Sequence, residues 1–222
     1  MMSNIIETQD GSHTLFSTQF GESYHSRYGA IQESRHVFIS AGLFYLIPLH
    51  KSISILEMGF GSGLNALLTI LECRQRSLSL RYDTIEAYPV DAFDALQLNY
   101  PTQLDLTDAA PLFSRLHECS WEAWHNLFAD INFRKRQMQI QQLEEIAQYD
   151  LVYYDAFGPG AQPELWESSV LERVYHALKP GGVFVTYCAK GSVKRILRGL
   201  GFQVEALPGP PGKREMTRAI KS

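Results

Sequence analysis

Short apolar runs alternate with helical patterns along two stretches of the chain, residues 52–100 and 150–207. In the first stretch, the apolar run Ser52–Met58 ends at glycines, and leucines then recur at helical spacing over Leu64–Arg76. Such alternation predicts βα units around a parallel sheet. The other predicted strands are Tyr82–Ala87, Gln137–Gln142, Asp150–Tyr154, Val183–Cys188 and a final hairpin of Phe202–Leu207 with Thr217–Ile220. The other predicted helices are Val90–Asn99, Glu164–Leu178, which stops at the turn Lys179–Gly182, and Val193–Gly199.

Two regions depart from this alternation. Residues 1–50 begin with a polar and aromatic stretch and continue into a helical pattern that Pro48 ends, so we expect an N-terminal cover segment and helix. Residues 101–136 are too long for a simple loop and carry aromatic residues at helical spacing. We therefore predict a helical insertion near 101–136 within a domain over 51–222, and one compact domain overall.

The composition is that of a globular chain: 222 residues, 45% hydrophobic and 20% charged, with a formal net charge of −4. Three scattered cysteines without CxxC spacing argue against a disulfide framework and a zinc site, and we expect no metal. The sequence shows neither a signal-peptide pattern nor an apolar run long enough for a bilayer. We expect a cytoplasmic protein without membrane contact; the oligomeric state stays open, and a monomer is compatible with the sequence.

The mild overall acidity argues at first against a nucleic-acid partner, because such proteins usually carry a basic surface. The charge is unevenly distributed, however. Residues 190–222 carry eight Lys and Arg against two acids, a net +6, whereas the rest of the chain carries 12 against 22, a net −10. A basic tail beside the carboxyl edge of the sheet can contact RNA phosphate while the remaining surface stays acidic. The net charge therefore does not exclude RNA.

The segment Glu57–Gly63 reads Glu-Met-Gly-Phe-Gly-Ser-Gly and stands between a predicted strand and a predicted helix. Glycines let the backbone turn tightly and approach a ligand that a side chain would block. A turn without a ligand and a dinucleotide site share this feature, so the loop alone is a weak signal. The G-x-G-x-G spacing differs from the dinucleotide fingerprint, and no Walker lysine follows. A second acid, Glu86, ends the following strand, where a carboxylate can accept both ribose hydroxyls.

Together these features predict a Rossmann-like fold that binds S-adenosylmethionine, with the glycines beneath its methionine and ribose parts. We expect the adenine to border the residues after the third strand, near Gln141–Leu143, where many such enzymes place an acid and this chain offers glutamines. The predicted cofactor-binding residues are Glu57, Gly59, Phe60, Gly61, Gly63, Asn65, Glu86, Ala87, Gln142, Leu143 and Asp155.

Asp155 ends the fourth predicted strand and falls beside the glycine loop, in the crevice where α/β folds bind ligands. A carboxylate there can contact the cofactor's amino group and orient the incoming nucleophile, so we interpret Asp155 as catalytic. The alternative is a turn aspartate, which is frequent before Gly-Pro. Tyr24 is the second catalytic candidate, in a segment that can close over the cofactor, and its alternative role is packing within the N-terminal cover.

Several motifs, in the right order along nearly the whole chain, resemble the MnmC methyltransferase family. They are Tyr24–Ile39, Glu57–Asn65, Ile85–Pro89, Asp155–Pro159 followed by Gln162–Trp166, and Gly209–Met216 with its Gly-Lys-Arg-Glu-Met signature. The glycine loop alone is generic, whereas its combination with Lys-Arg-Glu-Met is specific. The resemblance implies an α/β, Rossmann-like class I methyltransferase that uses S-adenosylmethionine.

The resemblance also implies a reaction: methylation of the aminomethyl nitrogen of 5-aminomethyl-2-thiouridine, or its oxygen form, at the tRNA wobble position. Lys190, Lys213, Arg214 and Glu215 are the predicted substrate-binding residues, with tRNA as the partner. A solvated hairpin is the alternative for Lys213 and Arg214. For Arg134–Arg136, a second basic run, we favour a solvated face over a tRNA contact.

The best-known members of this family carry a fused oxidase domain, for which the chain is too short. We therefore expect either that another enzyme supplies the aminomethyl precursor or that the chain accepts a related substrate. Two other classes remain open. One is a small-molecule N- or O-methyltransferase on the same fold. The other is a non-catalytic nucleotide-binding protein, against which the full set of glycines and acids argues.

Overall fold

A computed structural model describes residues 4–222, which contain a small antiparallel sheet and a large mixed sheet. The small sheet consists of β1 (Asn4–Glu7), β2 (His13–Ser17) and β3 (Glu22–Ser23). The large sheet consists of β4 (Ser52–Met58), β5 (Ser79–Glu86), β6 (His125–Phe128), β7 (Ile131–Gln137), β8 (Tyr149–Tyr154), β9 (Leu178–Thr186), β10 (Phe202–Pro208) and β11 (Glu215–Lys221). Residues 1–3 of the predicted N-terminal cover lie outside the described residues.

The large sheet has the strand order β10-β11-β9-β8-β4-β5-β7-β6. Its central strands β9, β8, β4, β5 and β7 pair in parallel, whereas β6 and the β10–β11 hairpin add antiparallel edges. From β4 the chain continues to β5 on one side and later returns to β8 on the other. Open α/β sheets bind ligands at the carboxyl ends of their strands where the order reverses in this way. The predicted mostly parallel, Rossmann-like sheet is confirmed.

Helices cover the sheet and connect its strands. They are α1 (Ala30–Ser34), a π-helical stretch (Arg35–Leu43), α2 (Phe44–Leu46), α3 (Leu64–Gln75), α4 (Ala92–Ala95), α5 (Tyr100–Leu104), α6 (Ala109–Glu118), α7 (Ser168–Ala177) and α8 (Gly191–Gly199). The first three follow one another directly, as the helical pattern over 31–50 predicted. At Gly42, an added Cβ would lie 3.1 Å from side chains of Tyr153 and Val185. Glycine there lets this N-terminal helix lie directly on β8 and β9.

Two apolar cores lie on opposite faces of the large sheet, and β4 contributes to both. Ile53 and Ile55 join one core, while Leu56 and Met58 join the other, because successive side chains of a strand point to opposite faces. A strand that is buried on both faces reads as a continuous apolar run. Burial of each such side chain contributes about 1.5–3 kcal/mol to the free energy of unfolding. This burial holds β4 in place, including the strand end from which the glycine loop begins.

The predicted helical insertion over 101–136 is wrong after residue 118. Helices α5 and α6 form its first part, but β6 and β7 then form an antiparallel hairpin that pairs with β5 and extends the sheet. In β7 the buried residues are Ile131, Phe133, Lys135 and Arg136, so two basic residues concealed the pattern of a strand. The third strand, predicted over 137–142, ends at Gln137, and Ile140–Gln142 is a 3₁₀ turn.

The basic run at 134–136 makes hydrogen bonds to elements that neighbour β7. The prediction that it forms a solvated face is therefore wrong. Arg134 and Arg136 both donate hydrogen bonds to the fully buried carboxylate of Asp83, at 2.6 and 3.2 Å. Lys135 is 1% exposed and donates to the backbone oxygen of His117 at 2.9 Å. A buried carboxylate needs such partners to offset its desolvation.

Two smaller predictions also differ from the structure. The helix predicted over 90–99 shortens to α4, which the Asp91 side chain caps by accepting a hydrogen bond from the amide of Phe93 at 2.8 Å. Strand β9 starts earlier than predicted and runs through the Lys179–Gly182 segment, where Gly181 has φ +76° and the pairing with β8 shifts register. Among the helices of residues 4–222, none combines the length and the apolar character that crossing a membrane requires.

Candidate active site

The glycine loop connects β4 to α3 and lines a pocket at the carboxyl edge of the sheet, together with Phe60. Gly59 has φ +91°, and a Cβ there would lie 2.7 Å from the backbone oxygen of Asp155. Gly61 has φ +49°, and a Cβ there would lie 2.9 Å from the ring of Tyr24. Both positions require glycine because an L side chain would be strained and would collide. The bare backbone is what lets a ligand approach this loop.

Gly63 is placed differently from Gly59 and Gly61. It lies at the N-cap of α3 with φ +75°, and a Cβ there would face the ring of His117 at 2.9 Å. It is absent from the pocket lining, whereas the neighbouring Ser62 contributes to it. Gly63 therefore shapes the turn into the helix and does not contact the pocket.

Glu86 ends β5 beside the glycine loop, as predicted, and Ala87 follows it in the pocket wall. Its carboxylate accepts hydrogen bonds from the backbone amides of Gly61 at 3.1 Å and Tyr88 at 2.9 Å. Burial raises the pKa of Glu86 above its ordinary value, and these amides act in the opposite direction. The amides orient the carboxylate and leave lone pairs that can accept hydroxyl groups of a ribose.

Glu57 does not line the pocket, contrary to the prediction of a cofactor contact. Its side chain is fully buried beneath the loop, and neither carboxyl oxygen has a hydrogen-bond partner among the described residues. Burial raises the pKa of Glu57 to about 8. The hydroxyls of Tyr82 and Thr84 are also buried without a partner among the described residues. Both lie near Glu57 and partly lower its pKa, whereas Glu57 raises the pKa of Tyr82. Burial therefore favours the neutral form of the Glu57 carboxyl group.

The far wall of the pocket is formed by Gln139, Ile140 and Gln141, one turn before the predicted adenine contacts. Gln142 instead accepts a hydrogen bond from the backbone amide of Gln139 at 3.0 Å, and Leu143 is 1% exposed within a core. Gln142 and Leu143 therefore do not line the pocket, whereas Gln141, the first residue of the predicted segment Gln141–Leu143, does. The Oε1 atom of Gln141 is buried without a partner among the described residues. An unpaired acceptor at a pocket wall is suited to an amino group such as that of adenine.

Asp155 lies at the end of β8, where its Oδ2 accepts a 2.8 Å hydrogen bond from Nδ2 of Asn65. The Ser34 hydroxyl in turn donates to Oδ1 of Asn65 at 2.7 Å, which fixes the orientation of that amide. Burial, reinforced by the nearby carboxylate of Glu33, raises the pKa of Asp155 to about 7, while the Asn65 hydrogen bond opposes this shift. Asp155 and Asn65 both line the pocket, as predicted.

The N-terminal segment covers the pocket with aromatic side chains. Tyr24 packs over Gly61 and makes an edge contact with Phe157, whose ring centroid is 5.1 Å away. Phe20 contacts the same Phe157 ring, also at 5.1 Å. Burial and the Glu86 carboxylate raise the pKa of Tyr24 to about 12, so its hydroxyl keeps its proton. Tyr24 therefore covers the pocket against water and keeps its hydroxyl proton at neutral pH, so it is not a base there.

A second pocket adjoins the first, and both share Tyr24, His25 and Tyr187 in their walls. In the second pocket, Nζ of Lys213 lies 2.5 Å from Oε1 of the buried Glu33. The same ammonium lies 3.9 Å from the centre of the Tyr187 ring. Lys213 is thus enclosed by a carboxylate and an aromatic face, and is not a freely solvated hairpin residue.

The other predicted substrate residues lie around this second pocket. Lys190 and Arg214 line it, and Arg214 is exposed. Glu215 also lines it and pairs with Nζ of Lys194 at 2.8 Å, which lowers the pKa of Glu215. The structure therefore brings together Lys190, Lys213, Arg214 and Glu215, all beside the Asp155 pocket.

Sequence reasoning missed several pocket residues. Glu33 lines the second pocket and lies on α1, next to Ser34, which lines neither pocket but orients Asn65. A lone acid or serine in a helix gives no sign of a partner that is distant in sequence. His25 and Tyr187 form the wall between the pockets, and burial lowers the pKa of His25 to about 4, which keeps the ring neutral. Gln141 lay inside the predicted adenine segment but was passed over for the two residues after it.

The pocket residues fit an S-adenosyl nucleoside. The bare backbone at Gly59 and Gly61 leaves room for close approach, Glu86 suits a ribose, and the unpaired Gln141 Oε1 suits an adenine amino group. Fold and site together define a Rossmann-like, nucleotide-binding transfer enzyme of the methyltransferase class. The family described as S-adenosyl-L-methionine-dependent methyltransferase matches residues 111–222. The chain belongs to this family, which confirms the predicted enzyme class and cofactor.

Curated relatives match almost the whole chain. The tRNA 5-methylaminomethyl-2-thiouridine biosynthesis bifunctional protein MnmC of Nitrosospira multiformis is 30% identical over 96% of this chain and 36% of its own length. The protein with the same name from Aromatoleum aromaticum is 32% identical over 95% of this chain and 34% of its own length. The chain therefore spans about a third of the length of these relatives.

Solved structures give the same assignment of fold. The crystal structure of MNMC2 from Aquifex aeolicus superposes with a TM-score of 0.80 at 27% identity, covering 98% of this chain and 69% of that one. A SAM-dependent O-methyltransferase from Thermotoga maritima superposes with a TM-score of 0.53 at 16% identity, covering 98% of this chain and 77% of that one. The second likeness concerns the fold alone.

Proposed function

We propose that this protein transfers a methyl group from S-adenosylmethionine to the aminomethyl nitrogen of 5-aminomethyl-2-thiouridine, or its oxygen form, at the tRNA wobble position. The names of the curated relatives support this substrate, because they describe biosynthesis of the methylated product nucleoside in tRNA. A tRNA substrate would place the protein in the cytoplasm. The relatives are bifunctional and about three times as long, so the proposal covers only the methylation step.

The observation that carries the proposal is the place of Asp155. Its carboxyl group lines the cofactor pocket, close to the wall that separates this pocket from the lysine-bearing second pocket. Its pKa, raised to about 7, lies between those of an ordinary carboxylate and an alkyl amine. Such a group binds a cationic amine in its ionised form and can accept the proton that the amine must lose before it attacks.

In the proposed methyl transfer, the residues of the pocket position the acceptor amine, remove its proton and exclude water. S-adenosylmethionine, when bound, supplies a methyl group on a positively charged sulfur. Asn65 holds the Asp155 carboxylate, which orients the acceptor amine and takes one of its protons, so that the nitrogen lone pair is free. Tyr24 and Phe157 cover the reaction site and exclude water. Alignment and proton removal are the main tasks, because the methyl donor is already activated.

Basic residues at the second pocket support an RNA substrate over a free small molecule. Lys190 and Arg214 lie on the pocket walls where the phosphates of a bound nucleotide can reach them. They belong to the segment 190–222, whose net charge of +6 stands against −10 for the rest of the chain. A localised basic surface of this kind guides RNA to the pocket while the remaining surface repels it.

The direct test is methylation of tRNA in vitro. Purified protein is incubated with methyl-labelled S-adenosylmethionine and a tRNA that carries aminomethyluridine at the wobble position, and the digested nucleosides are analysed by mass spectrometry. We expect labelled methylaminomethyluridine with the wild-type protein and none with Asp155→Ala. Label on a free amine but none on the tRNA would instead identify a small-molecule methyltransferase.

A further inference from the structure

The ammonium group of Lys213 occupies a binding site made by other parts of the chain. Its Nζ atom lies 2.5 Å from Oε1 of Glu33 and 3.9 Å from the centre of the Tyr187 ring. A carboxylate combined with an aromatic face is a general way to bind an organic ammonium ion. The site therefore recognises alkyl ammonium groups, and in the free protein a lysine of the chain fills it.

The two walls of this site are held in place independently of Lys213. The second oxygen of Glu33 accepts a hydrogen bond from the backbone amide of Ser26 at 2.7 Å, and Glu33 is only 5% exposed. The Tyr187 hydroxyl donates to the backbone oxygen of Ala156 at 2.8 Å, which fixes the ring. The site is thus built before any ligand arrives.

Lys213 itself is less firmly placed. It lies on the turn between β10 and β11, next to Gly212 with φ +82°, and its side chain is 33% exposed. Its ammonium can move toward solvent, where water replaces its contacts at little cost. Glu33 cannot move with it, and a buried carboxylate without a cation is strongly destabilising. Lys213 therefore leaves readily only when another cation takes its place.

The site also lies close to the reaction centre. Tyr187 lines both pockets, and the Glu33 carboxylate is close enough to Asp155 to raise the pKa of that group. Glu33 also precedes Ser34, the residue that orients Asn65 and through it Asp155. A cation that arrives at Glu33 is thus beside the residue that prepares the amine for methyl transfer.

We propose that Glu33 and the face of Tyr187 form the receiving site for the ammonium group of the methyl acceptor, which displaces Lys213 from it. The inference rests on the proposed function, since it identifies how the same pocket selects its substrate. An acceptor with a neutral hydroxyl in place of the amine cannot replace the lysine, so the exchange selects for amines. The released Lys213 then lies on the same turn as Arg214 and is free to bind phosphate.

Calorimetry with two isosteric nucleosides tests the proposal. 5-Aminomethyluridine and 5-hydroxymethyluridine are titrated into the protein saturated with S-adenosylhomocysteine. In Lys213→Met the site is empty, so we expect the aminomethyl nucleoside to bind about tenfold more tightly than to the wild type. We expect Glu33→Gln to lose the preference for amine over hydroxyl, and S-adenosylhomocysteine to bind both variants as it binds the wild type.

The control is Lys179→Met, which also removes a lysine from an ion pair, with Asp150 at 2.8 Å, but outside both pockets. It should leave the nucleoside affinities unchanged. Because an empty Glu33 site destabilises Lys213→Met, the aminomethyl nucleoside should also raise its melting temperature more than that of the wild type. The melting temperature of Lys213→Met tests the proposal even if Glu33→Gln fails to fold.

Weaker binding of the aminomethyl nucleoside to Lys213→Met would overturn the inference, since Lys213 would then bind the substrate directly. A loss of S-adenosylhomocysteine affinity in Glu33→Gln would also overturn it, because the site would then hold the ammonium of the cofactor. If the wild type methylates tRNA, either result leaves the proposed function intact. A wild type that neither methylates the tRNA nor binds the aminomethyl nucleoside contradicts both.

Discussion

Nδ2 of Asn65, on the first turn of α3, lies 2.8 Å from Oδ2 of Asp155, at the end of β8. The hydrogen bond joins the glycine-loop helix to the candidate catalytic strand across 90 residues of sequence. It stabilises the ionised form of a carboxyl group that burial otherwise drives toward the neutral form. This contact therefore lowers the pH at which Asp155 is ionised and can accept a proton.

Replacing Asn65 should displace the pH profile of the reaction. In Asn65→Leu the donor is lost and the pKa of Asp155 rises further above about 7, so the acidic limb of kcat/KM moves to higher pH. A displacement of about one pH unit corresponds to the loss of one hydrogen bond to a charged group. Ser34→Ala keeps the Asn65 donor and serves as the control, with a smaller displacement. An unchanged profile in Asn65→Leu would show that Asp155 does not take the proton.

Cofactor affinity should depend on Glu86. Its carboxylate is positioned by the amides of Gly61 and Tyr88, and Glu86→Gln would offer a donor where one of these amides also donates. We expect S-adenosylhomocysteine to bind about 10- to 100-fold more weakly, equivalent to about 1.5–3 kcal/mol for a hydrogen bond to a charged group. Calorimetry measures this loss. The exposed Glu172→Gln on α7 is the matched control, and equal affinities for the two variants would argue against a ribose contact at Glu86.

The loop backbone should tolerate no side chain at Gly59. With φ +91° and a Cβ at 2.7 Å from the Asp155 backbone oxygen, Gly59→Ala strains its own residue and displaces the end of β8. We expect a loss of about 1–3 kcal/mol in the free energy of unfolding, with weaker S-adenosylhomocysteine binding. In Gly160→Ala, by contrast, the added Cβ meets no atom within 4 Å. Urea denaturation measures the free energy of unfolding of both variants. Equal values for Gly59→Ala and Gly160→Ala would contradict the steric requirement for glycine at position 59.

The buried Glu57 should make stability depend on pH. Because its pKa is raised to about 8 in the folded protein, the unfolded chain releases its proton at lower pH, and stability falls as pH rises from about 4.5 to 8. The slope contributed by one such group is about 1.4 kcal/mol per pH unit at most. Glu57→Gln mimics the neutral form, so its stability relative to the wild type should increase between pH 5 and pH 8. Denaturation at both pH values measures the difference, and an equal effect at both would show that Glu57 is ionised in the fold.

Local patterns made the centre of the fold predictable. Strand β4 carries apolar side chains on both of its faces, Ile53 and Ile55 on one and Leu56 and Met58 on the other, and the glycines follow it directly. Strand, loop and α3 could therefore be placed from sequence. Glu86 followed from the same reasoning, since parallel strands bring their carboxyl ends to one edge. The elements that depend on a single local pattern could therefore be placed from sequence.

Features that depend on distant contacts were not predictable. The buried Lys135 concealed β7 because its burial depends on a backbone oxygen of α6, 18 residues away. The pocket wall is formed by Gln141 and not by Gln142 or Leu143, and these residues lie in and directly after a 3₁₀ turn that the sequence pattern did not predict. Glu33 went unnoticed because its partner Lys213 lies 180 residues away in sequence.

Nucleoside analysis of tRNA from cells tests the central claim most directly. In a strain that lacks this gene, mass spectrometry should show loss of methylaminomethyluridine and accumulation of its aminomethyl precursor. The wild-type gene should restore the methylated nucleoside, and the Asp155→Ala variant should not. A deletion strain with an unchanged nucleoside profile would contradict the assignment to tRNA.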